Sequence, residues 1–239
     1  MLRKLIILLV AGALAANCQQ PATPAPAAPT AAPAPAGDPN AILLTVFLRH
    51  DQTKNVDQIN EIVGKNGFRD NFPPKGIEVA SWYVMMGIGQ VVTLKVPPSR
   101  LREVNRTIES GAWGGYHTEF YPTYELRAAT ATPTVDPAKS ILLTIFLRHD
   151  QTKNSTQINE IVGKNGFREN FPPKGIDVIS WYTMMGIGQV VTLRVPPDRL
   201  RDVNRSIETG AWGGFRTEFY TTYDYKSLWQ ESWPSAKAK

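Results

Sequence analysis

One stretch of sequence occurs twice in this chain of 239 residues. Residues Ala41–Leu126 align with Ser140–Tyr225 without a gap, and roughly four-fifths of the aligned positions are identical. The unit is far longer than the repeat of a solenoid protein and has the size of a small domain. The sequence therefore predicts two copies of one domain in tandem, with residues 127–139 as a linker and residues 226–239 as a C-terminal tail.

Each copy has the pattern strand, helix, strand, strand, helix, strand. In the first copy we predict strands, which are rich in β-branched and aromatic residues, at Ile42–His50, Ile77–Met86, Gln90–Val96 and Tyr116–Glu125. A capping-box pattern at Asn55 and Gln58 predicts the start of the first helix, and Gly67 its end. The second helix is predicted to begin at Pro97–Ser99 and to end at Gly111. The segment "FRDNFPPKG" is predicted to be a loop.

The βαββαβ order is that of the ferredoxin-like unit, which has helices on one face of its sheet only. The other face would be wet in a single copy, although it carries large apolar side chains. Packing the two sheets against each other removes this cost. The predicted fold class is therefore α+β, with two tandem ferredoxin-like βαββαβ repeats packed sheet to sheet and joined by "RAATATPTVDPAK".

Two motifs in each copy resemble a known group of proteins. "SWYVMMGIGQVVTLKVPP" resembles the strand, turn and strand of muconolactone isomerase-like and GYD-type proteins, and "FLRHDQ" is similar to the first strand of muconolactone isomerases. Both belong to the dimeric α/β-barrel superfamily. The resemblance implies a fused dimeric α/β barrel that binds a small molecule between its sheets and carries out cofactor-free isomerase or lyase chemistry. It assigns no catalytic residue.

The first residues have the pattern of an export signal. Two positive charges in Met1–Lys4 precede the apolar run Leu5–Ala16, which is too short to span a bilayer. We therefore predict a signal peptide at residues 1–16. Cys18, the only cysteine, follows at once, where bacterial lipoproteins carry their lipid anchor. Two alternatives stay open: lipidation of Cys18, or ordinary secretion that leaves a free thiol.

Residues 17–40 consist almost entirely of Pro and Ala after Cys18. Such a composition cannot bury a core and is typical of an extended tether or a disordered spacer. A tether fits an anchored protein, so the predicted location is periplasmic and attached to a membrane through the N-terminal lipid.

Candidate site residues come from the alternation of side chains along the strands. Leu43, Thr45, Phe47, Arg49 and Asp51 share the face predicted to line the barrel, and the helix-side face is aliphatic. The fourth strand adds either Glu119 and Tyr121 or Phe120 and Tyr124. The predicted ligand-binding residues are Arg49, Arg148, Phe47, Phe146, Thr45, Thr144, Lys95, Arg194, Tyr121 and Tyr220. The predicted proton-transfer residues are Asp51, Asp150, Glu119 and Glu218.

In this hypothesis Arg49, Lys95 and Tyr121 hold an organic anion, and Asp51 or Glu119 moves a proton from a carbon acid. The alternative is structural: Arg49 and Asp51 form an ion pair with each other at the barrel mouth.

The histidines allow a further interpretation. His50 and His149 end the first strands of the two copies and could bind a metal or haem, or make hydrogen bonds in a loop. The chain has no metal-ligand motif with His-x-His or Cys spacing. We therefore predict no metal and no cofactor.

The charge of +5 is spread over helix faces where arginines alternate with glutamates, which argues against nucleic-acid binding.

Leu228, Trp229 and Trp233 have helical spacing and either pack on the barrel or contact a membrane or partner. The leading functional hypothesis is binding of a small organic, for example anionic, molecule. The alternatives are a non-catalytic interaction module of the cell envelope and, third, haem or metal binding. Further oligomerisation stays open.

Overall fold

The computed structural model describes residues 38–233. The signal peptide, Cys18 and most of the tether lie outside the described residues, as do residues 234–239. The first half contains β1 (Ile42–His50), α1 (Val56–Lys65), α2 (Phe68–Asn71), β2 (Glu78–Met85), β3 (Gly89–Val96), α3 (Leu101–Gly111) and β4 (Tyr116–Arg127). The second half contains β5 (Ile141–His149), α4 (Ser155–Lys164), α5 (Phe167–Asn170), β6 (Asp177–Met184), β7 (Gly188–Val195), α6 (Leu200–Gly210) and β8 (Phe215–Asp224). The last helix is α7 (Lys226–Ser232).

The capping box and the glycine predicted from the sequence lie at the two ends of α1. The capping box is present, because the Asn55 side chain accepts from the Gln58 N–H and the Gln58 side chain accepts from the Asn55 N–H. Gly67, at φ 68°, follows the end of α1 in the left-handed conformation that glycine favours. The predicted loop was wrong in part, because it contains α2. That single turn places Phe68 against Phe72, with ring centroids 4.9 Å apart.

The eight strands form one closed barrel in the order β1-β3-β2-β8-β5-β7-β6-β4, and β4 pairs back with β1. Every pairing is antiparallel. The α+β class and the barrel are therefore as predicted. In addition to facing each other, the two four-stranded sheets join at their edges, through β2 with β8 and β4 with β6. Closure leaves no strand edge of the barrel unpaired.

Three apolar clusters stabilise the structure. One lies between the first half's sheet and its helices, and a second occupies the corresponding place in the second half. The third fills the barrel interior around Phe47 and Phe146. The alternation predicted for β1 is confirmed, since Leu44, Val46 and Leu48 face the helices while Phe47 faces the interior.

The tail and the linker both attach to the barrel. Trp229 and Trp233 are buried in the first half's core, so the tail packs on the barrel, which was one of the two predicted alternatives. The linker is attached through Asp177, the first residue of β6, whose carboxylate accepts hydrogen bonds from the backbone N–H groups of Thr134 and Val135, both at 2.9 Å. Within residues 38–233, no helix has the length and apolar character needed to cross a membrane.

Candidate functional site at one end of the barrel

Two arginines of the predicted site lie at the same end of the barrel. Since all neighbouring strands are antiparallel and four pairings separate β1 from β5, these two strands run in the same direction. Arg49 and Arg148, near the ends of β1 and β5, therefore lie at one mouth of the barrel. Below them the rings of Phe47 and Phe146 meet across the interior, with centroids 6.1 Å apart. Each guanidinium lies over its own phenylalanine ring, at 5.3 and 5.4 Å.

A glutamate and a tyrosine complete a cluster in the first half. Arg49 Nε donates to Glu119 Oε1 at 2.9 Å, and its Nη2 donates to Oε2 at 3.3 Å. Tyr121 Oη donates to the same Oε2 at 2.9 Å. The register of β1 with β4 places Glu119 and Tyr121 on the interior face. This resolves the ambiguous alternation of the fourth strand, since Phe120 packs on the helix side.

The second half repeats the cluster with one additional cation. Arg148 Nε donates to Glu218 Oε1 at 2.9 Å, and Tyr220 Oη donates to Oε2 at 3.1 Å. Arg216 Nη2 also donates to Glu218 Oε1, at 3.2 Å. The residue at this position in the first half is His117. Arg216 was not among the predicted site residues, although its position two residues before Glu218 on one strand could have indicated it.

The electrostatics keep the carboxylates ionised and the phenols protonated. Burial raises the pKa of Glu119, but the hydrogen bonds from Arg49 and Tyr121 outweigh it, and the net pKa lies below the usual value. Burial also raises the pKa of Glu218, but the hydrogen bond and charge of Arg148 outweigh this effect, and the net pKa is lowered. Burial and the neighbouring glutamate raise the pKa of Tyr121 and of Tyr220. A carboxylate with a lowered pKa is a poor proton acceptor, so the clusters are better suited to binding than to proton abstraction.

The two clusters lie within electrostatic reach of each other. Arg49 and Arg148 both lower the pKa of Tyr121, against the dominant effect of burial, and both also act on the pKa of Tyr220. The charges of the two clusters therefore influence each other across the barrel mouth.

The predicted threonines lie deeper, and their hydroxyl groups are occupied. Thr45 Oγ1 lies 3.0 Å from Thr93 Oγ1 and accepts from Thr123 Oγ1 at 2.8 Å. Thr144 forms the same set with Thr192 and Thr222, at 3.0 and 2.9 Å. These side chains fill the interior together with the central apolar cluster. A ligand of this barrel therefore fits at its end and not between the sheets at the level of the threonines.

Asp51 and Asp150 lie outside the clusters. β1 ends at His50, so strand alternation stops before Asp51. Its carboxylate accepts from the Thr53 N–H at 3.0 Å and from Thr53 Oγ1 at 2.6 Å, and it pairs with Lys54. The predicted Arg49–Asp51 ion pair was thus wrong, because Arg49 pairs with Glu119. Hydrogen bonds from Lys153 and Thr152 likewise lower the pKa of Asp150 to about 2. Proton transfer by Asp51 and Asp150 stays a prediction that this geometry does not favour.

Lys95 and Arg194 are also separate from the arginines of the mouth. In the β1–β3 ladder, Lys95 is opposite Leu43, which lies six residues before Arg49 on β1. At about 3.3 Å per residue, Lys95 is therefore roughly 20 Å from Arg49 along the strands. Lys95 Nζ instead pairs with Glu78 at 2.7 Å. Arg194 occupies the corresponding place, opposite Leu142. The predicted set of Arg49, Lys95 and Tyr121 is therefore not one site.

Each half also has an open groove beside its cluster. The groove of about 570 Å³ in the first half contains Arg49, His50, Asp51 and His117, and the groove in the second half measures about 650 Å³. His50 stacks on Tyr116 with centroids 5.8 Å apart, and burial lowers its pKa. His149 stacks on Phe215 in the same way. Among residues 38–233, no three His, Cys, Asp or Glu side chains converge as a metal site would require.

Comparison with known proteins finds solved structures of low similarity. No family model matches the chain, and no curated protein matches it. Among solved structures, it is similar to a chlorite dismutase variant from Candidatus Nitrospira defluvii, with 9% identity over 80% of this chain and 94% of that chain and a TM-score of 0.49. It is also similar to the "putative monooxygenase" of Lactobacillus acidophilus NCFM, with 10% identity over 77% and 93% of the chains and a TM-score of 0.40.

At this level of similarity, the activities of the two proteins carry no argument for this chain. The narrower resemblance to muconolactone isomerases stays a prediction.

Proposed function

We propose that the chain binds a small organic molecule at the end of the barrel. The observation that carries the proposal is the convergence of two Arg–Glu–Tyr clusters over the rings of Phe47 and Phe146. The rings of Phe47 and Phe146 are fully buried beneath the guanidinium groups of Arg49 and Arg148. Oxygen atoms of the ligand would accept hydrogen bonds from the guanidinium groups, and its apolar part would lie in the groove beside a cluster. Sites of this kind combine apolar surface with a few oriented polar groups.

The charges favour an anionic group on the ligand. The second cluster contains two guanidinium groups, of Arg148 and Arg216, and one carboxylate, of Glu218. The side chains of Arg49 and Arg148 are 31% and 26% exposed, so both can still be reached from solvent. A ligand carboxylate would therefore find an excess of forked donors at the second cluster.

Binding is a better account of the clusters than the isomerase or lyase chemistry that the family resemblance implies. Such chemistry needs a base whose pKa lies near the working pH, and both glutamates have lowered pKa values. We also propose that the chain is exported and tethered through Cys18. This second proposal is supported by the N-terminal sequence pattern alone.

Native mass spectrometry of the protein isolated from its own cells tests the binding proposal, because a retained ligand would add its mass. We expect the adduct to be lost in Arg49→Met Arg148→Met. Removal of one charge-assisted contact costs about 1.5–3 kcal/mol, which is roughly ten- to a hundredfold in affinity. Arg102→Met, on the exposed face of α3, is the matched control.

The proposal is wrong if the double variant keeps the adduct. It is also wrong if no adduct exists and aliphatic and aromatic carboxylates all fail to bind the wild type in calorimetry.

A further inference from the structure

The C-terminal tail fills an aromatic cavity in the first half. Trp82, on β2, contacts Tyr225, Trp229 and Trp233, with ring centroids 5.5, 5.5 and 5.1 Å apart. Trp233 also lies against Phe68 at 5.6 Å, and the Arg69 guanidinium lies 5.8 Å from its ring. The two tail tryptophans are only 3% and 4% exposed. Two indole groups therefore complete this part of the core.

The corresponding cavity in the second half is open. It has a volume of about 350 Å³ and is lined by Phe167, Phe171 and Trp181, which occupy the positions of Phe68, Phe72 and Trp82. The volume lies in the range of small-molecule sites. Trp181 is 7% exposed where Trp82 is fully buried.

The barrel topology explains why only one cavity is filled. β8 pairs with β2, so the chain that leaves β8 arrives beside Trp82, where the Tyr225 N–H donates to the Trp82 carbonyl at 2.8 Å. By the same arrangement β4 pairs with β6, and the linker leaves β4 beside Trp181. The linker "AATATPTVDPAK" contains no aromatic residue.

A second copy of the chain cannot fill the open cavity by exchanging tails. Each chain brings one tail and two cavities, so any oligomer built from this chain has half as many tails as cavities. Residues 38–233 of the chain therefore provide no occupant for the second cavity, which stays accessible to another molecule.

Polar groups at the second cavity define the chemistry of that molecule further. In the first half, Gln90 Nε2 donates to Tyr116 Oη at 3.1 Å, while Gln90 Oε1 accepts from Trp82 Nε1. Gln189 Oε1 accepts from Trp181 Nε1 at 3.0 Å in the same way, but the residue opposite its amide N–H group is Phe215, which has no hydroxyl. The cavity thus contains an oriented N–H donor that lacks the phenol acceptor of the first half.

Two cations stand at the rim. Arg127 lies 5.8 Å from the Trp181 ring, and Arg168 Nη2 donates to Asn159 Oδ1 at 2.9 Å. Neither guanidinium forms an ion pair with a carboxylate of residues 38–233. Flat aromatic walls, a free amide donor and two unpaired guanidinium groups together match a ring system that carries a carboxylate.

We propose that this cavity of the second half binds a planar aromatic carboxylate of about the size of an indole acid. The ring would take the place that the tail tryptophans take in the first half, and the carboxylate would lie between Arg127 and Arg168. This site is separate from the one proposed at the barrel mouth.

Calorimetric titration of the full chain with indole-3-acetate tests the proposal. In Arg49→Met Arg148→Met, which lacks the site proposed at the barrel mouth, we expect one site for indole-3-acetate, binding of indole at least tenfold weaker because it lacks the carboxylate, and no binding of acetate. Arg168→Met should weaken binding of indole-3-acetate by about tenfold or more. Arg69→Met is the matched control, because Arg69 donates to Asn60 as Arg168 donates to Asn159 but lies beside a cavity that is already filled.

Two further variants place the probe. Leu126→Trp should abolish binding, because Leu126 has the position of Tyr225 and an indole there would enter the cavity. Phe215→Tyr is a smaller substitution, because it adds only a hydroxyl group. It should weaken binding by giving the Gln189 amide the acceptor that Tyr116 provides in the first half. Circular dichroism would verify that each variant is folded.

Three results would overturn the proposal. The first is the absence of binding by the wild type. The second is binding that neither Arg168→Met nor Phe215→Tyr alters. The third is a loss in Arg49→Met Arg148→Met as large as that in Arg168→Met, which would place the probe at the barrel mouth.

Discussion

Glu119 shows how far a single residue could be assigned from the sequence. Alternation along the fourth strand allowed either Glu119 and Tyr121 or Phe120 and Tyr124 inside the barrel, because both faces carry mixed side chains. The ladder with β1 decides between them, and that register depends on a strand distant in sequence. By contrast, β1 has one purely aliphatic face, so its orientation was predictable. Alternation could not predict the partner of Arg49, because it says nothing about contacts between strands.

The lowered pKa values of Glu119 and Glu218 predict a measurable dependence of stability on pH. Since each carboxyl has a folded pKa below its usual value of 4.5, its contribution is present above that pH and is lost as the pH falls through the folded pKa. We expect Glu119→Gln Glu218→Gln to lose stability less steeply than the wild type below that pH. Urea denaturation at a series of pH values measures the slopes.

Glu160→Gln, on the exposed face of α4, serves as the control and should keep the slope of the wild type. Parallel curves for the wild type and the double variant would mean that the two ion pairs do not contribute to acid stability.

At the scale of the element, α7 was predictable as a helix but its location was not. The spacing of Leu228, Trp229 and Trp233 indicated a helix, but left open whether it packs on the barrel or contacts a membrane or partner. Two nearly identical cavities were available, and the pairing of β8 with β2 determines that the tail reaches the first. The turn α2 was missed because its four residues are too few to show helical periodicity.

Trp229→Ala should lower the free energy of unfolding by about 3–5 kcal/mol, because it leaves a cavity in a packed core. Leu228→Ala, one residue earlier and 47% exposed, should change it by only about 0.5 kcal/mol. Chemical denaturation of both variants measures the difference. Equal effects would show that the tail is only loosely attached to the barrel.

At the scale of the whole molecule, the repeat predicted that the halves cover each other, and the barrel confirms that their inner faces meet. The joining of the sheets at their edges was not predicted, because hydrogen bonds between strand edges leave no periodic signal in a sequence. Each half contributes two edge strands, and the outer edge of each pairs with a strand of the other half.

A single half should therefore not persist as a monomer. We expect residues 140–225 alone to form a dimer or to aggregate, because both the interior face and two strand edges would be exposed. Residues 41–127 should be less stable still, since they also lack the tail tryptophans. Sedimentation equilibrium measures the mass of each fragment, and a stable, soluble monomer would contradict the inference.

The attachment of the tail to the first half also has a consequence for the order of events during translation. The ribosome releases a chain from its N-terminus, at about 5–20 residues per second. The first half is thus synthesised well before Trp229 and Trp233, which complete its core, and before β8, which pairs with its β2. Its folding therefore cannot finish until β8, Trp229 and Trp233 have been synthesised.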